Sequence, residues 1–425
     1  MGFGQGLSGL NASSKQLDVI GNNIANAQTV GFKAAQAQFA DVYANSLNGS
    51  GAGQVGIGVK VSAVAQQFTQ GNITPTQNPL DIAISGAGFF RMSDNGAISY
   101  TRNGQFHLDD NGFITNAQGL QLTGYPVSAS TGLILAGTPV PMHINTKDLV
   151  PKMTTEADAQ LNLDSRAALP TVTPFNPLDP NSYTQSTPVD IYDSLGNKHS
   201  LQTFYVKTGP APAVAGPGTW DVFATLDGVA VPAAATTIAQ LTFDTQGKLN
   251  PLTTTPVTVP LYTFGINLST VTQAAGASAQ TMTFSLTGST QFGAAYSLNA
   301  LHQDGYTSGK LSKFNTGPDG TILGTYTNGQ TAVLGQLVLS NFTDPNGLQS
   351  VGNNQWVETS ESGPPLAGVP STSGLGTLTS SATEDSNTDL TAELVNMITA
   401  QRVYQANAQT IKTEDQILQT LVNLR

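Results

Sequence analysis

Cysteine is absent from this 425-residue chain, which excludes disulfides, thiol catalysis and Cys-ligated zinc or iron–sulfur centres. Charge is scarce too: Asp, Glu, Lys and Arg make up 10% of residues, against roughly 25% in ordinary soluble domains. The surface must then be covered largely by Ser, Thr, Asn, Gln and Gly. Such a surface can pack against copies of itself without desolvating many charges. The net charge of −11 argues against a nucleic-acid partner, which calls for clustered Lys and Arg. No run approaches the roughly 18 consecutive apolar residues of a membrane-spanning helix, so no membrane insertion is expected. The opening MGFGQGLSGLNASSKQLDVI has no basic segment followed by an apolar one and a cleavage site, and a cleaved Sec signal is not expected.

What is present is organised by position. The length gives room for two or three domains with sizeable cores. Residues 1–70 hold Lys15, Lys33 and Lys60 against Asp18 and Asp41. Residues 390–425 hold Arg402, Lys412 and Arg425 against Glu393, Glu414 and Asp415. The acidity therefore lies in the middle, as fits a chain whose ends are buried against neighbours.

Both ends read as helix. Near the start, Leu7, Leu10, Ser14, Leu17, Gly21 and Ile24 recur at alternating steps of three and four, a heptad-like stripe. Val30-Gly31-Phe32 interrupts it, and an Ala-rich stretch around Phe39, Val42 and Tyr43 follows. At the other end, Ser386-Asn387-Thr388-Asp389 resembles a capping-box start, with Glu393 helping in the first turn. The stripe then runs Leu390, Leu394, Met397, Gln401, Tyr404, Ala408, Ile411, Asp415, Leu418 and Val422, with no Gly or Pro from Asp389 to Arg425. Such a helix would be roughly 50 Å long. Two arrangements satisfy these stripes: a hairpin of helices within one chain, or packing between subunits. The heptads alone do not choose.

The middle reads as antiparallel sheet. Alternating apolar residues are punctuated by Asp94-Asn95-Gly96, Asn103-Gly104 and Asp110-Asn111-Gly112, and again by Asp319-Gly320, Asn328-Gly329 and Asp344-Pro345-Asn346-Gly347. A second β-rich block over 150–295 is marked by Val189, Ile191, Leu201, Tyr205, Trp220, Val222, Leu241 and Phe243. The segments Asn48–Gly58 and Ser360–Ser381, rich in Gly, Ser, Thr and Pro, read as flexible connectors.

Several apparent motifs fail on context. Gly4-Gln5-Gly6-Leu7-Ser8-Gly9 matches a dinucleotide-binding fingerprint letter for letter, yet no strand precedes it. Gly305-Tyr306-Thr307-Ser308-Gly309-Lys310 is one residue short of a P-loop and ends in Leu311, without the hydroxyl that binds magnesium. His107, His143, His199 and His302 are too scattered for a zinc motif. Asp193-Ser194-Leu195 ahead of His199 offers hydrolase residue types but sits between two strand patterns and reads as a hairpin turn. No catalytic residue, cofactor or metal is expected.

The residues do match a family. Leu10-Asn11-Ala12, Leu17 through Asn26 and Gly31-Phe32-Lys33 resemble the N-terminal signature of the flagellar rod and hook axial proteins. Glu393 through Ile398, Ala400-Gln401-Arg402, Tyr404-Gln405, Asn407 and Lys412-Thr413 resemble its C-terminal partner. Leu80 through Ile84, Gly88-Phe89-Phe90, Thr101-Arg102-Asn103-Gly104 and Leu122 through Pro126 are similar to the family's first β-domain. Val189 through Asn197, the length and the C-terminal Thr410 through Arg425 resemble the hook branch rather than the shorter distal rod branch.

The resemblance implies an α+β, mainly β fold. The N- and C-terminal helices (1–30 and 387–425) would pair as a coiled coil, with connecting segments at 31–70 and 366–386. Two nested antiparallel β-domains would follow, an inner one from 71–149 with 296–365 and an outer one inserted at 150–295. It also implies a homopolymer of hook subunits around an export channel. Its expected partners are a distal rod protein, a hook cap protein, a hook–filament junction protein, a hook-length control protein and the flagellar type III export apparatus. Leu7, Leu10, Leu17, Ile24, Leu390, Leu394, Met397, Tyr404, Ala408, Ile411, Leu418 and Val422 are the expected subunit-assembly residues on the two helices.

Overall fold

The computed structural model describes residues 2–42, 56–128, 131–209, 218–232, 236–251, 263–272, 276–372 and 374–423. Tyr43 and most of the Asn48–Gly58 connector lie outside the described residues. The protein is mainly β with a helix at each end. It divides into two compact units, Met1–Thr146 with Lys313–Thr325 and Thr331–Arg425, and Lys147–Ser312 with Tyr326–Gln330. Among the described residues, no helix is long and apolar enough to cross a membrane.

The first unit contains both long helices. The N-terminal helix spans Gly2–Ala25 and the C-terminal helix Leu390–Asn423, 24 and 34 residues. Asp389 caps the latter: its Oδ1 accepts the N–H groups of Thr391 at 2.8 Å and Ala392 at 3.2 Å, satisfying two orphan donors. Glu393 does not complete a capping box. Its carboxylate turns sideways and Oε1 accepts Asn23 Nδ2 at 3.1 Å.

After the N-terminal helix the chain forms a two-stranded antiparallel ribbon, Ala35–Val42 with Gly58–Gln66. The β-domain beyond it is built on a sheet in the order Thr331–Leu337, Gln121–Pro126, Phe89–Asp94, Ala97–Thr101, Gln355–Val357, Gln349–Gly352. Asn95 (φ 49°) and Gly96 (φ 100°) close the hairpin between Phe89–Asp94 and Ala97–Thr101, the left-handed pair that a two-residue turn needs. Phe68, Phe89, Tyr100, Phe342 and Trp356 interlock edge to face, with Tyr100–Phe342 centroids 4.7 Å apart and Phe68–Phe89 5.4 Å.

The expected flexible connector Ser360–Ser381 is instead partly strand. Leu366–Gly368 pairs with Leu339–Asn341, and Thr377–Ser380 with Ile82–Ser85, burying Leu378. Its Ser/Thr-rich composition reads as linker, yet Thr fits a pleated surface well and one apolar residue suffices to anchor a short strand.

The second unit is a β-sandwich. One sheet has the order Thr263–Asn267, Thr281–Ser285, Glu156–Asn162, Ser297–Gln303. The other runs Gln185–Tyr192, Lys198–Gly209, Thr219–Leu226, Val229–Val231, with Ala239–Thr242 also on Thr219–Leu226. Alternate residues of both sheets meet in one apolar core, among them Leu161, Val189, Leu201, Trp220, Val222, Phe243, Phe264 and Phe284. One pairing departs from the antiparallel expectation: Glu156–Asp158 runs parallel to Thr283–Ser285. Asp193 through Asn197 does form the hairpin turn, with Gly196 at φ 84°.

Candidate assembly interface

The terminal helices run antiparallel. Asn23 meets Glu393 at one end, and at the other a Cβ on Gly6 would lie 3.0 Å from Ile411 Cγ1. A Cβ on Gly9 would lie 2.8 Å from the Asn407 amide. These two glycines of the fingerprint-like run therefore bring the helices together, whereas Gly4 and Leu7 of the same run face away. On the N-terminal helix the buried side is Gly6, Ala12, Ser13, Ile20 and Asn23. On the C-terminal helix the partly covered positions are Glu393, Met397, Ala400, Asn407, Ala408, Ile411 and Glu414, and Ala400 alone among the described side chains is buried.

The seam within the chain thus follows a register offset from the apolar stripe. Met397, Ala408 and Ile411 are half-buried near it, as are Leu10, Leu17 and Ile24. Leu7, Leu390, Leu394, Tyr404, Leu418 and Val422 are exposed, Leu394 at 50% and Val422 at 74%. Phe3, Val395, Ile398, Val403 and Ile417 join them. The sequence stripe missed these last five because they fall outside a single heptad line. Exposed apolar side chains therefore line much of the length of the helix pair.

Beneath the helix pair lies a junction that the sequence reading did not find. Glu384 is fully buried and holds two buried cations: its Oε1 accepts Lys33 Nζ at 2.6 Å and its Oε2 accepts Arg102 Nε at 2.9 Å. Lys33 also donates to the Thr69 carbonyl at 2.8 Å, Arg102 to the Gly86 and Gly88 carbonyls, and Gly71 N–H to Glu384 Oε1. Burial alone disfavours the Glu384 carboxylate, but Arg102 and Lys33 outweigh it and hold its pKa below the usual range. Burial lowers the Lys33 pKa against the pull of Glu384.

Backbone geometry completes the junction. Gly31 donates its N–H to the Glu384 carbonyl at 2.7 Å and sits at φ +71°, where a Cβ would meet Asn103 N at 2.6 Å. Asn23, buried in the helix, grips Ala35 on both sides of its peptide, Nδ2 to the carbonyl at 2.8 Å and Oδ1 from the N–H at 2.9 Å. Asn387 does the same work from the other end of the chain, accepting Ala34 N–H at 2.7 Å and donating to the Gln67 carbonyl at 2.7 Å. Three distant segments are thereby fixed together immediately before each helix begins or ends. The geometry positions helices.

A polar cluster in the second unit centres on His199. His199 Nδ1 lies 2.7 Å from Asp227 Oδ2 and its Nε2 3.3 Å from Asp193 Oδ2. Burial opposes the imidazolium, but the two carboxylates prevail and raise its pKa. His199 thereby joins the turn at Asp193 to the turn at Asp227, and Ser194 Oγ separately accepts the Ser278 N–H at 2.9 Å.

Four family models match the chain: "Flagella basal body rod protein" over 5–33, "Flagellar hook protein FlgE/F/G D1 domain" over 83–162, "Flagellar basal body protein FlaE D2 domain" over 162–306, and "Flagellar basal body rod FlgEFG protein C-terminal" over 379–424. The chain is 45% identical over 430 residues to "Flagellar hook protein FlgE" of Escherichia coli (strain K12), and equally to that of Salmonella typhimurium, each covering 100% of both chains. That of Borreliella burgdorferi is 32% identical over 99% of this chain and 98% of its own. The chain belongs to the flagellar hook protein FlgE family.

Within that family frame the junction spans three matched stretches. Lys33 closes the first, Arg102 lies in the second and Glu384 in the last. The β-sandwich coincides largely with the stretch matched at 162–306.

Proposed function

We propose that this chain is the structural subunit of the bacterial flagellar hook, a homopolymer whose terminal helices pack between subunits as the wall of a tube around an export channel. The observation that carries the reading is the exposed apolar face of the helix pair, Leu7, Leu390, Leu394, Val395, Ile398 and Val422 among them. A lone subunit leaves this face in water, and neighbouring copies would cover it. The expected assembly residues Leu10, Leu17, Ile24, Met397, Tyr404, Ala408, Ile411 and Leu418 complete that wall.

The tube is curved and flexible and transmits motor torque as a universal joint. The low charge content supports this, because β-domains that slide past one another break few ion pairs. Subunits leave the cell through the flagellar type III export apparatus and add beneath a hook cap protein. A hook-length control protein limits the polymer, which joins the distal rod protein to the hook–filament junction protein. The full-length match to hook relatives disfavours the distal rod role.

The test is a Leu394→Asp variant in cells lacking the natural gene. Basal bodies viewed by electron microscopy should show complete rods without hooks, while the purified subunit keeps its wild-type circular dichroism. Hooks of normal form from this variant would sink the reading.

A further inference from the structure

A polar cavity of ≈ 300 Å³ lies between the helix pair and the ribbon, lined by Gln16, Asn23, Gln36, Gln67, Glu393 and Asn396 among others. Only one lining side chain is ionisable, Glu393, and its two oxygens differ. Oε1 accepts the Asn23 amide at 3.1 Å, whereas Oε2 is buried and has no hydrogen-bond partner. A carboxylate oxygen withdrawn from water without a donor is costly. The cavity therefore holds half of an interaction.

The same helix carries the complementary group. Arg402 is exposed and forms no ion pair or hydrogen bond among the described residues, whereas Lys15 is taken by Asp18 at 3.3 Å. At about 100° per residue Arg402 lies opposite Ala400, which faces the N-terminal helix, and it stands roughly 13 Å along the axis from Glu393. It cannot fold back into its own cavity. A guanidinium offers five donors in one plane, enough for the free carboxylate oxygen and for amide oxygens such as those of Gln36 and Asn396 around it. Lys412 and Lys60, also exposed, would supply one point charge and leave those amides unserved.

We propose that the Glu393 cavity is a receptor for Arg402 of a second copy of this chain. The pair would fix the register of neighbouring helices, a role the apolar face cannot perform because apolar contact is non-directional. The inference rests on the polymer reading above and adds to it a named, directional contact.

The test measures the critical subunit concentration for elongating isolated hooks with Glu393→Gln, Arg402→Gln and the double variant. Each single change should raise it roughly 10- to 100-fold, the span of one charge-assisted hydrogen bond. The double variant should be no worse than the poorer single. A charge exchange, Glu393→Arg with Arg402→Glu, should recover part of the loss that Glu393→Arg alone causes. Additive single effects, or an Arg402→Gln variant that elongates like wild type, would overturn the pairing in favour of a cavity filled by water alone. So would recovery of Glu393→Arg by Lys412→Glu or Lys60→Glu in place of Arg402→Glu. Arg402 is exposed, so its variant keeps the test valid if Glu393→Gln fails to fold. If Leu394→Asp subunits also elongate normally the polymer reading itself fails; if they do not, and the Glu393 and Arg402 variants do, only the pairing fails.

Discussion

In the β-sandwich, side chains from both sheets close on one apolar core in which Trp220, Phe243 and Phe284 are wholly buried. In the C-terminal helix Ala400 alone among the described side chains is buried, while Leu394, Ile398 and Val422 face water. The sandwich buries most of the apolar side chains that its strands present, leaving a few such as Leu298 and Leu301 exposed, whereas the helix pair leaves many exposed along its length. The difference separates a part with a closed apolar core from a part whose apolar side chains, on the function proposed above, would be covered by neighbouring copies. Both units bury charge, Asp193 and Lys207 in the sandwich and a triad in the first unit. The first unit fastens its helices at their base with Glu384, Lys33 and Arg102, where directionality matters more than burial.

The largest effect should come from breaking that fastening. Glu384→Gln leaves two buried cations facing a neutral group and should destabilise the first unit by about 3–5 kcal/mol. Trp356 reports on this unit and Trp220 on the sandwich, so urea titrations of single-Trp variants should shift the Trp356 transition and leave that of Trp220 in place. A common shift of both would erase the contrast between the units. The wild type should lose this contribution in acid. Glu384 has a lowered pKa, so its stabilisation is present above the ordinary value of 4.5 and disappears as pH falls through the depressed one. Glu384→Gln should flatten that acid limb.

A cavity in the sandwich should act on the other reporter. Phe284→Ala should cost about 3–5 kcal/mol in the Trp220 transition only.

Next in size is the contrast between two helix substitutions. Ile411 packs against Gly6 within the chain, whereas Leu394 is exposed. Ile411→Asp should lower the subunit's helicity on heating by circular dichroism and also abolish hooks. Leu394→Asp should change subunit stability by less than about 0.5 kcal/mol and still abolish hooks. Equal loss of helicity in both would mean that the two faces are not distinct.

The smallest effect belongs to the His199 brace. Its raised pKa means that its stabilisation is full below 6.5 and is lost as pH rises through the folded value. The Trp220 urea midpoint should therefore decline as pH rises above 6.5 through the raised folded pKa, and His199→Asn should remove that slope.

Much of this was legible in the residues. Strand alternation with Asn-Gly turns placed the hairpins at Asn95-Gly96 and Asp193 through Asn197, because left-handed turn geometry restricts which residues can stand there. The uninterrupted heptads placed the long helix at Leu390–Asn423. The junction was not legible: Glu384 sits in an ordinary Thr-Glu-Asp run, and its partners lie 351 and 282 residues away. Nor was the strand within Ser360–Ser381, whose composition is that of a linker.

The sequence by itself determined that the two ends are helix and most of the middle is sheet, and that the surface carries little charge, since these depend on local periodicity and composition. Only the tertiary structure decided which helix face is spent inside the chain, and that Glu384 binds Lys33 and Arg102. It also decided that Glu393 keeps a buried oxygen without a donor. Those outcomes depend on how segments hundreds of residues apart approach one another, and no local pattern encodes that approach.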